Sequence, residues 1–313
     1  MLKEEIKNNW ETDIVGYAQM LSSLEAVGYP AWTIRFPDSY GVAIPYDGND
    51  INESFARAKI RSADISLDTG NNTRALLLTT DSTEIKEPFA VLCKALVDPG
   101  DNGAQRVIIS SSPVLWWKDW KELLGNKNID DRIYDTLGEL CVLQKLINNS
   151  EDPEWIGPDG GSYDIETNSR YVEVKSTINR SKTEVTISNQ FQLFPPGKPL
   201  ILVFCRFEPV VLGGISIDSV LEALESIGYN TVLLNSKLEL KGFEKGMSSR
   251  KKRFVLHEML MFTINDSFPR ITPDSFVGGV MPSGITKINY TVDLSGMASQ
   301  SLLRGEEHDL QNN

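Results

Sequence analysis

Histidine is almost missing from this chain: His257 and His308 are the only two in 313 residues. A histidine-built metal site and an HNH-type nuclease centre are therefore disfavoured. A Ser-His-Asp triad would have to use His257, beside which no nucleophile-elbow motif stands. His257 reads as a partly exposed strand histidine. Cysteine is nearly as scarce. Cys93, Cys141 and Cys205 lie singly in apolar stretches, with neither zinc spacing nor a disulfide framework, and read as reduced core residues. No apolar run reaches the roughly 20 residues of a membrane span. Met1 opens on Lys3, Glu4 and Glu5, unlike a signal peptide, so a cytoplasmic location is expected. An excess of basic residues is also lacking: 31 Lys and Arg face 43 Asp and Glu, a net charge of −12. That disfavours strong, autonomous, non-specific nucleic-acid binding, which depends on neutralising phosphates. A local basic groove, or a partner that delivers the nucleic acid, is compatible with it.

What is present is ordinary for a soluble globular protein: 41% hydrophobic and 24% charged residues, in a chain long enough for two or three domains. Residues 1–125 read as an α/β region, suited to binding DNA or a partner. It opens with an amphipathic helix on which Ile6, Trp10, Ile14, Tyr17, Leu21 and Leu24 recur at helical spacing. Strands are expected at 31–36, 40–45, 74–79 and 106–110, and helices at 85–97 and 113–124. Trp116, Trp117 and Trp120 share a helix face and read as core rather than as a platform for stacking bases. A linker at 125–128 leads to a central region, 126–230. It holds a helix at 131–148, strands at 184–188 and 200–205, and a helix at 219–227. The run from Leu200 to Cys205 has the continuous apolar character of a strand buried on both faces. Residues 231–304 read as β-rich, with strands at 231–234, 254–264 and 286–294, forming a C-terminal domain or completing the first one. Residues 305–313 read as a disordered tail.

The most telling stretch is Tyr163-Asp164-Ile165, followed by Tyr171-Val172-Glu173-Val174-Lys175. Asn168-Ser169 between them suits a two-residue turn that pairs Thr167 with Arg170. That register sets Asp164 directly opposite Glu173. Lys175 follows on the same face, because side chains alternate along a strand. Tyr163 then pairs with Val174 and Ile165 with Val172, an apolar set for a core; a slip of one residue would bury the charges. Facing carboxylates repel unless a positive group stands between them, and a divalent metal is the simplest such group. The same residues would also suit a solvated hairpin face on which Lys175 pairs with Glu173. An acid-x-Lys tripeptide is cheap: Glu5-Lys7, Glu84-Lys86, Asp119-Lys121 and Glu239-Lys241 also have it. Only Glu173-Lys175 has an aspartate placed opposite, β-branched neighbours, and a helix carrying Glu139 just upstream. Pro158-Asp159 offers a rival aspartate. It precedes the Gly160-Gly161 turn and cannot face Glu173 in this register, so Asp164 is preferred.

On Glu139, Asp164, Glu173 and Lys175, in the order helix, strands, acid-x-Lys strand, helix, buried strand, the chain resembles the PD-(D/E)XK nuclease superfamily. Trp155-x-Gly157-Pro158, Ser188-x-Gln190 and Phe268-Pro269-Arg270 extend the likeness to a bacterial PD-(D/E)XK-motif family typically encoded beside restriction-modification and phage-defence genes. The resemblance implies a restriction-endonuclease-like αβββαβ core with a mixed sheet at 126–230, flanked by N-terminal α/β and C-terminal β-rich regions. It implies a Mg²⁺-dependent DNA endonuclease, with Mn²⁺ able to substitute. Asp164, Glu173 and the Val174 carbonyl would hold the ion, since Mg²⁺ favours oxygen ligands and takes only one or two carboxylates. Lys175 would orient the attacking water or stabilise the transition state. Glu139 matches the helix glutamate that assists the metal, and Gln190 a polar position that contacts the site or the nucleic acid. The basic run Arg250, Lys251, Lys252 and Arg253 is a candidate phosphate track. Expected partners are DNA, further proteins of a defence system, and a second copy of the chain, with no membrane. Two other readings stand beside this one: a catalytically inactive, nuclease-fold interaction subunit, and a metal-dependent enzyme acting on another phosphodiester such as RNA.

Overall fold

Alternation of apolar side chains builds two six-stranded sheets and one two-stranded sheet among the described residues. The computed structural model describes residues 2–303 apart from 56, 124–128, 190 and 195–196. The expected linker at 125–128, the tail at 305–313 and Gln190 lie outside the described residues. The chain divides into two units, Met1–Lys127 with Glu244–Ser248, and Asn128–Phe243 with Ser249–Asn313.

The first unit is an antiparallel sheet of β1 (Ala18–Met20), β2 (Trp32–Arg35), β3 (Tyr40–Pro45), β4 (Asn52–Phe55), β5 (Ala58–Ser66) and β6 (Asn72–Thr80). Its strand order is β1-β2-β3-β6-β5-β4. The helices are α1 (Leu2–Thr12), α2 (Ser22–Glu25), α3 (Lys86–Val97), α4 (Ala104–Ser111) and α5 (Pro113–Leu123). Leu76 and Leu78 of β6 face one core, with Ile6 and Trp10 of α1 and Phe89 of α3, while Ala75 and Leu77 face another. The Trp10 indole donates to the Gly41 carbonyl at 2.8 Å. Trp116 and Trp117 are buried in the same core, with Trp120 packed against it, which removes them as a base-stacking platform. Residues 244–248 bind the β4–β5 hairpin: Ser248 N donates to Glu53 at 2.7 Å and Lys59 pairs with Glu244 at 2.8 Å.

The second unit begins with α6 (Ile129–Asn148). It lies on a mixed sheet of β7 (Glu154–Trp155), β8 (Ile165–Glu166), β9 (Tyr171–Thr177), β11 (Leu200–Val210), β12 (Arg253–Thr263) and β14 (Gln300–Ser301), ordered β14-β12-β11-β9-β8-β7. Strands β9 and β11 run parallel and the other pairings are antiparallel. The remaining strands, β10 (Glu184–Ile187) and β13 (Tyr290–Asp293), pair only with each other. Helices α7 (Ile217–Ser226) and α8 (Thr231–Leu240) complete the unit. Strand β11 serves both cores: Ile201, Val203, Cys205 and Phe207 join the helices, while Leu200, Leu202 and Phe204 join β10 and β13. All three cysteines are buried and free.

Several expectations need correction. The first helix stops at Thr12; Gly16 then turns the chain at φ 91°, and Ile14 is 70% exposed. Leu21 and Leu24 reach the core from the segment after β1 instead. Residues 106–110 are helix, not strand: of Val107, Ile108 and Ile109 only the last is buried, and a short apolar run carries no period that tells helix from strand. Residues 231–234 open helix α8, because Asn230 caps the Val232 and Leu233 amides and Leu234 and Leu238 are buried at helical spacing. The 231–304 region is not a separate layer, since β12 joins the sheet of the acid-bearing strand. The mixed α/β class stands, with one departure in detail. Where αβββαβ calls for a helix between β9 and β11, the described chain passes through β10 and a turn capped by Asn189, whose side chain accepts from Phe191 N at 2.9 Å.

The basic run does not act as a unit. Arg250 is 2% exposed, with Nε bonded to Asp218 at 2.7 Å and a terminal nitrogen to Asn235 at 2.8 Å. It ties α7 to α8 and has no face for phosphate. Lys251, Lys252 and Arg253 are exposed, and Arg253 donates to the Gly213 and Gly214 carbonyls. His257 is an exposed strand residue paired with Glu208 at 2.9 Å. Removing one partner of a buried charge pair strands the other; Asp218 is a third exposed, which softens the loss. Arg250→Ala is expected to lower unfolding free energy by about 2–3 kcal/mol in urea titration, and Lys251→Ala by less than about 0.5 kcal/mol.

Candidate active site

The β8–β9 hairpin has the register that its turn requires. Ile165 pairs with Val172, Glu166 with Tyr171, and Thr167 N donates to Arg170 O at 2.9 Å. Strand β8 then ends, because the chain bends at 162–164. Asp164 N still donates to Val172 O at 3.2 Å, but its carbonyl turns to the Ile156 and Gly157 amides at 2.9 and 3.0 Å. Its carboxylate takes over at the strand edge and accepts from Val174 N at 2.7 Å. A strand residue's N–H and C=O leave the backbone on the same side, so the Val174 carbonyl opens towards the same gap. The bend corrects one expected pairing. Tyr163 does not join Val174 on the helix-covered face; it stacks on Tyr171 in the opposite core, with ring centroids 4.7 Å apart.

Glycines permit two close approaches here. A Cβ on Gly157 would lie 3.2 Å from Asp164 Oδ1, and one on Gly138 would lie 2.2 Å from Ser176 Oγ. The first lets the Trp155-Ile156-Gly157-Pro158 turn close on Asp164; the second lets α6 close on β9. Asp164, Glu173, Lys175 and Glu139 all line one cleft of about 520 Å³ in this unit. Helix α6 covers the face of β9 that carries Val172 and Val174, so Glu173 leaves the strand on the other face. Glu139 therefore reaches the cleft from the helix side and Glu173 from the opposite side. Asp159 is not part of the cleft. Its carboxylate pairs with Lys237 at 2.7 Å.

Three contacts of the cleft acids were not foreseen from the sequence. Lys241 Nζ lies 2.7 and 2.8 Å from the two oxygens of Glu139, although Lys241 belongs to one of the cheap acid-x-Lys tripeptides. The Trp155 indole donates to Glu139 Oε2 at 2.7 Å. Gln192, two residues beyond Gln190, donates to Glu173 Oε1 while its own oxygen accepts from Ser188 N at 2.8 Å. Its proximity to Gln190 in a polar turn was the available signal. Arg270 of the Phe-Pro-Arg motif steadies this turn through the Leu193 carbonyl at 3.1 Å.

The electrostatics of the cleft follow from its depth. Glu139 and Glu173 are 6% and 3% exposed. Burial pushes the Asp164 carboxyl well above the usual range, and the charges of Glu173 and Glu139 push the same way; the Val174 amide and Lys175 oppose them. Burial also raises Glu173, against the pull of Lys175, 2.8 Å away. For Lys175, burial works against the charge, but Glu173 and Asp164 hold its pKa above the ordinary lysine value. Carboxyls raised in this way lack sufficient positive charge, and a divalent cation would supply it. The donors fit a hard ion: two carboxylates and a backbone carbonyl are what Mg²⁺ accepts from protein while keeping several waters. Among the described residues, no three His, Cys, Asp or Glu side chains converge at ligand spacing, and Glu139 is held by Lys241 instead.

Among the described residues no helix is long and apolar enough to cross a membrane. No curated protein and no solved structure matches the chain. A family model does: DUF4420, described as "Putative PD-(D/E)XK family member", over residues 19–295. That span covers most of the chain and every residue of the cleft, so the chain belongs to this PD-(D/E)XK family.

Proposed function

We propose that the protein is a metal-dependent DNA endonuclease acting as a subunit of a bacterial restriction or phage-defence system. The observation that carries the nuclease reading is the Asp164–Glu173–Lys175 constellation at the open edge of β9, Glu173 buried and its two neighbours half-buried, with carboxyls raised by burial and crowding and a lysine held charged beside them. The restriction or defence setting rests on the family resemblance alone. Asp164, Glu173 and the Val174 carbonyl would hold Mg²⁺ or Mn²⁺. When bound there, the ion supplies Lewis acidity towards a phosphoryl oxygen and an attacking water. Lys175 gives one of its three donors to Glu173 and, being charged, can hold that water or a phosphate oxygen with another. Gln192 fixes the Glu173 rotamer from the far side, and Gly157 leaves room for Asp164 to stay at the strand edge.

Purified protein with Mg²⁺ or Mn²⁺ is expected to nick supercoiled duplex DNA. Lys175→Ala should lower the rate roughly 10²–10³-fold when assayed below its melting temperature, which falls because Glu173 loses its counter-charge, and Asp164→Asn and Glu173→Gln should abolish cleavage. Full cleavage by Lys175→Ala would sink the assignment. Single-stranded RNA assayed in parallel should stay intact; the reverse outcome moves the activity to RNA.

The net charge of −12 favours a second reading, an interaction subunit on a nuclease scaffold. Metal binding separates the two, because the scaffold predicts no Mn²⁺ uptake that depends on Asp164 and Glu173. It also has a predicted pH dependence. A cation must displace the protons that raised carboxyls retain, so Mn²⁺ affinity should fall as pH drops through their raised pKa values, on the order of tenfold per unit for each proton displaced. In the metal-free protein the native state holds more protons than the unfolded chain above about pH 4. Stability should therefore decline as pH rises through that window, and Mn²⁺ should raise the melting temperature more at pH 8 than at pH 5. Equal melting shifts at both pH values would contradict the assignment of the ion to these carboxylates.

A further inference from the structure

Both oxygens of Glu139 are occupied. Lys241 Nζ grips them at 2.7 and 2.8 Å, and Trp155 Nε1 adds a third bond at 2.7 Å. These bonds use three of the carboxylate's roughly four acceptor positions, and a cation at the fourth would stand beside the Lys241 ammonium. The lysine is also held in place. Lys237, one turn earlier on the same face of α8, bonds the Trp155 carbonyl and Asp159, and Leu238 and Phe243 are buried on either side of Lys241. The Lys241 ammonium stands 5.7 Å from the centre of the Trp155 ring, a second attraction at the same spot.

We infer that Lys241 takes the place that a second divalent cation would take on Glu139, so that the cleft binds one ion, on Asp164 and Glu173. This rests on the metal-site reading above and adds its stoichiometry. The charges at Glu139 agree with it. Lys241 already neutralises this carboxylate at 2.7 and 2.8 Å, so a second ion there would stand directly against the ammonium. The geometry agrees as well, because Glu139 does not converge with the other two carboxylates into a ligand cluster.

Titrating the full chain with Mn²⁺, and following loss of the free-ion EPR signal, counts bound ions without recourse to activity. One ion per wild-type chain is expected, two for Lys241→Met, and one again when Glu139→Gln is added to Lys241→Met. Two ions in the wild type, or one in a folded Lys241→Met, overturn the inference. No ion in the wild type overturns the metal-site reading itself and is distinguishable from either. Should Lys241→Met not fold, Lys241→Gln carries the same expectation, and the wild-type count can still decide against the proposal.

Discussion

One hydrogen bond organises this site: the Val174 amide donating to the Asp164 carboxylate at 2.7 Å. In an uninterrupted sheet that donor would meet a backbone carbonyl of the neighbouring strand. Here β8 stops after two residues and a side chain takes the carbonyl's role. The amide is satisfied, so the edge costs little, yet the neighbouring strand is gone and a cleft stands open beside β9. The same bond pins an acidic group at the mouth of that cleft. Other features go with it. A side chain on Gly157 would crowd Asp164, and Tyr163 crosses to the other core as the chain bends to bring the carboxylate round.

The two cores hold the rest of the site in place. Along β9, Val172 and Val174 are locked under α6 while Tyr171 stacks with Tyr163 on the far side. Glu173 and Lys175 fall between these anchors and have little freedom to swing towards solvent. Burying carboxylates at such density would be unfavourable without counter-charges, and the fold brings two lysines from different elements to balance them. Lys175 comes from the strand itself, Lys241 from the end of α8. Each faces its own glutamate, so the positive charge is split between the two sides of the sheet edge instead of pooling at one point.

What could be read from the sequence was local, and what could not was distant or ambiguous. The hairpin register followed from a two-residue turn and strict alternation, both short-range, and it put Asp164 rather than Asp159 in the cleft. It failed at Tyr163, where the strand stops alternating. The buried strand β11 announced itself by an apolar run. Residues 106–110 and 231–234 misled because short runs of Val, Ile and Leu suit either a strand or a helix. Lys241 was out of reach: it meets Glu139 only because α8 packs beside β7, and its tripeptide looks the same as the unproductive ones. Arg250 shows the converse, since a run of four basic residues gave no hint that the first is buried between two helices.

Strand β10 contributes Glu184, Val185 and Thr186 to one wall of the cleft and leads directly to the turn that carries Gln192. Among the described residues its strand partner is β13, roughly a hundred residues further along the chain. Pairings between segments so widely separated form late, and a chain still on the ribosome cannot make this one until Tyr290–Asp293 have emerged. The acids and the lysine of β9 emerge well before the strand that braces their wall, so the cleft is enclosed only once both segments are out.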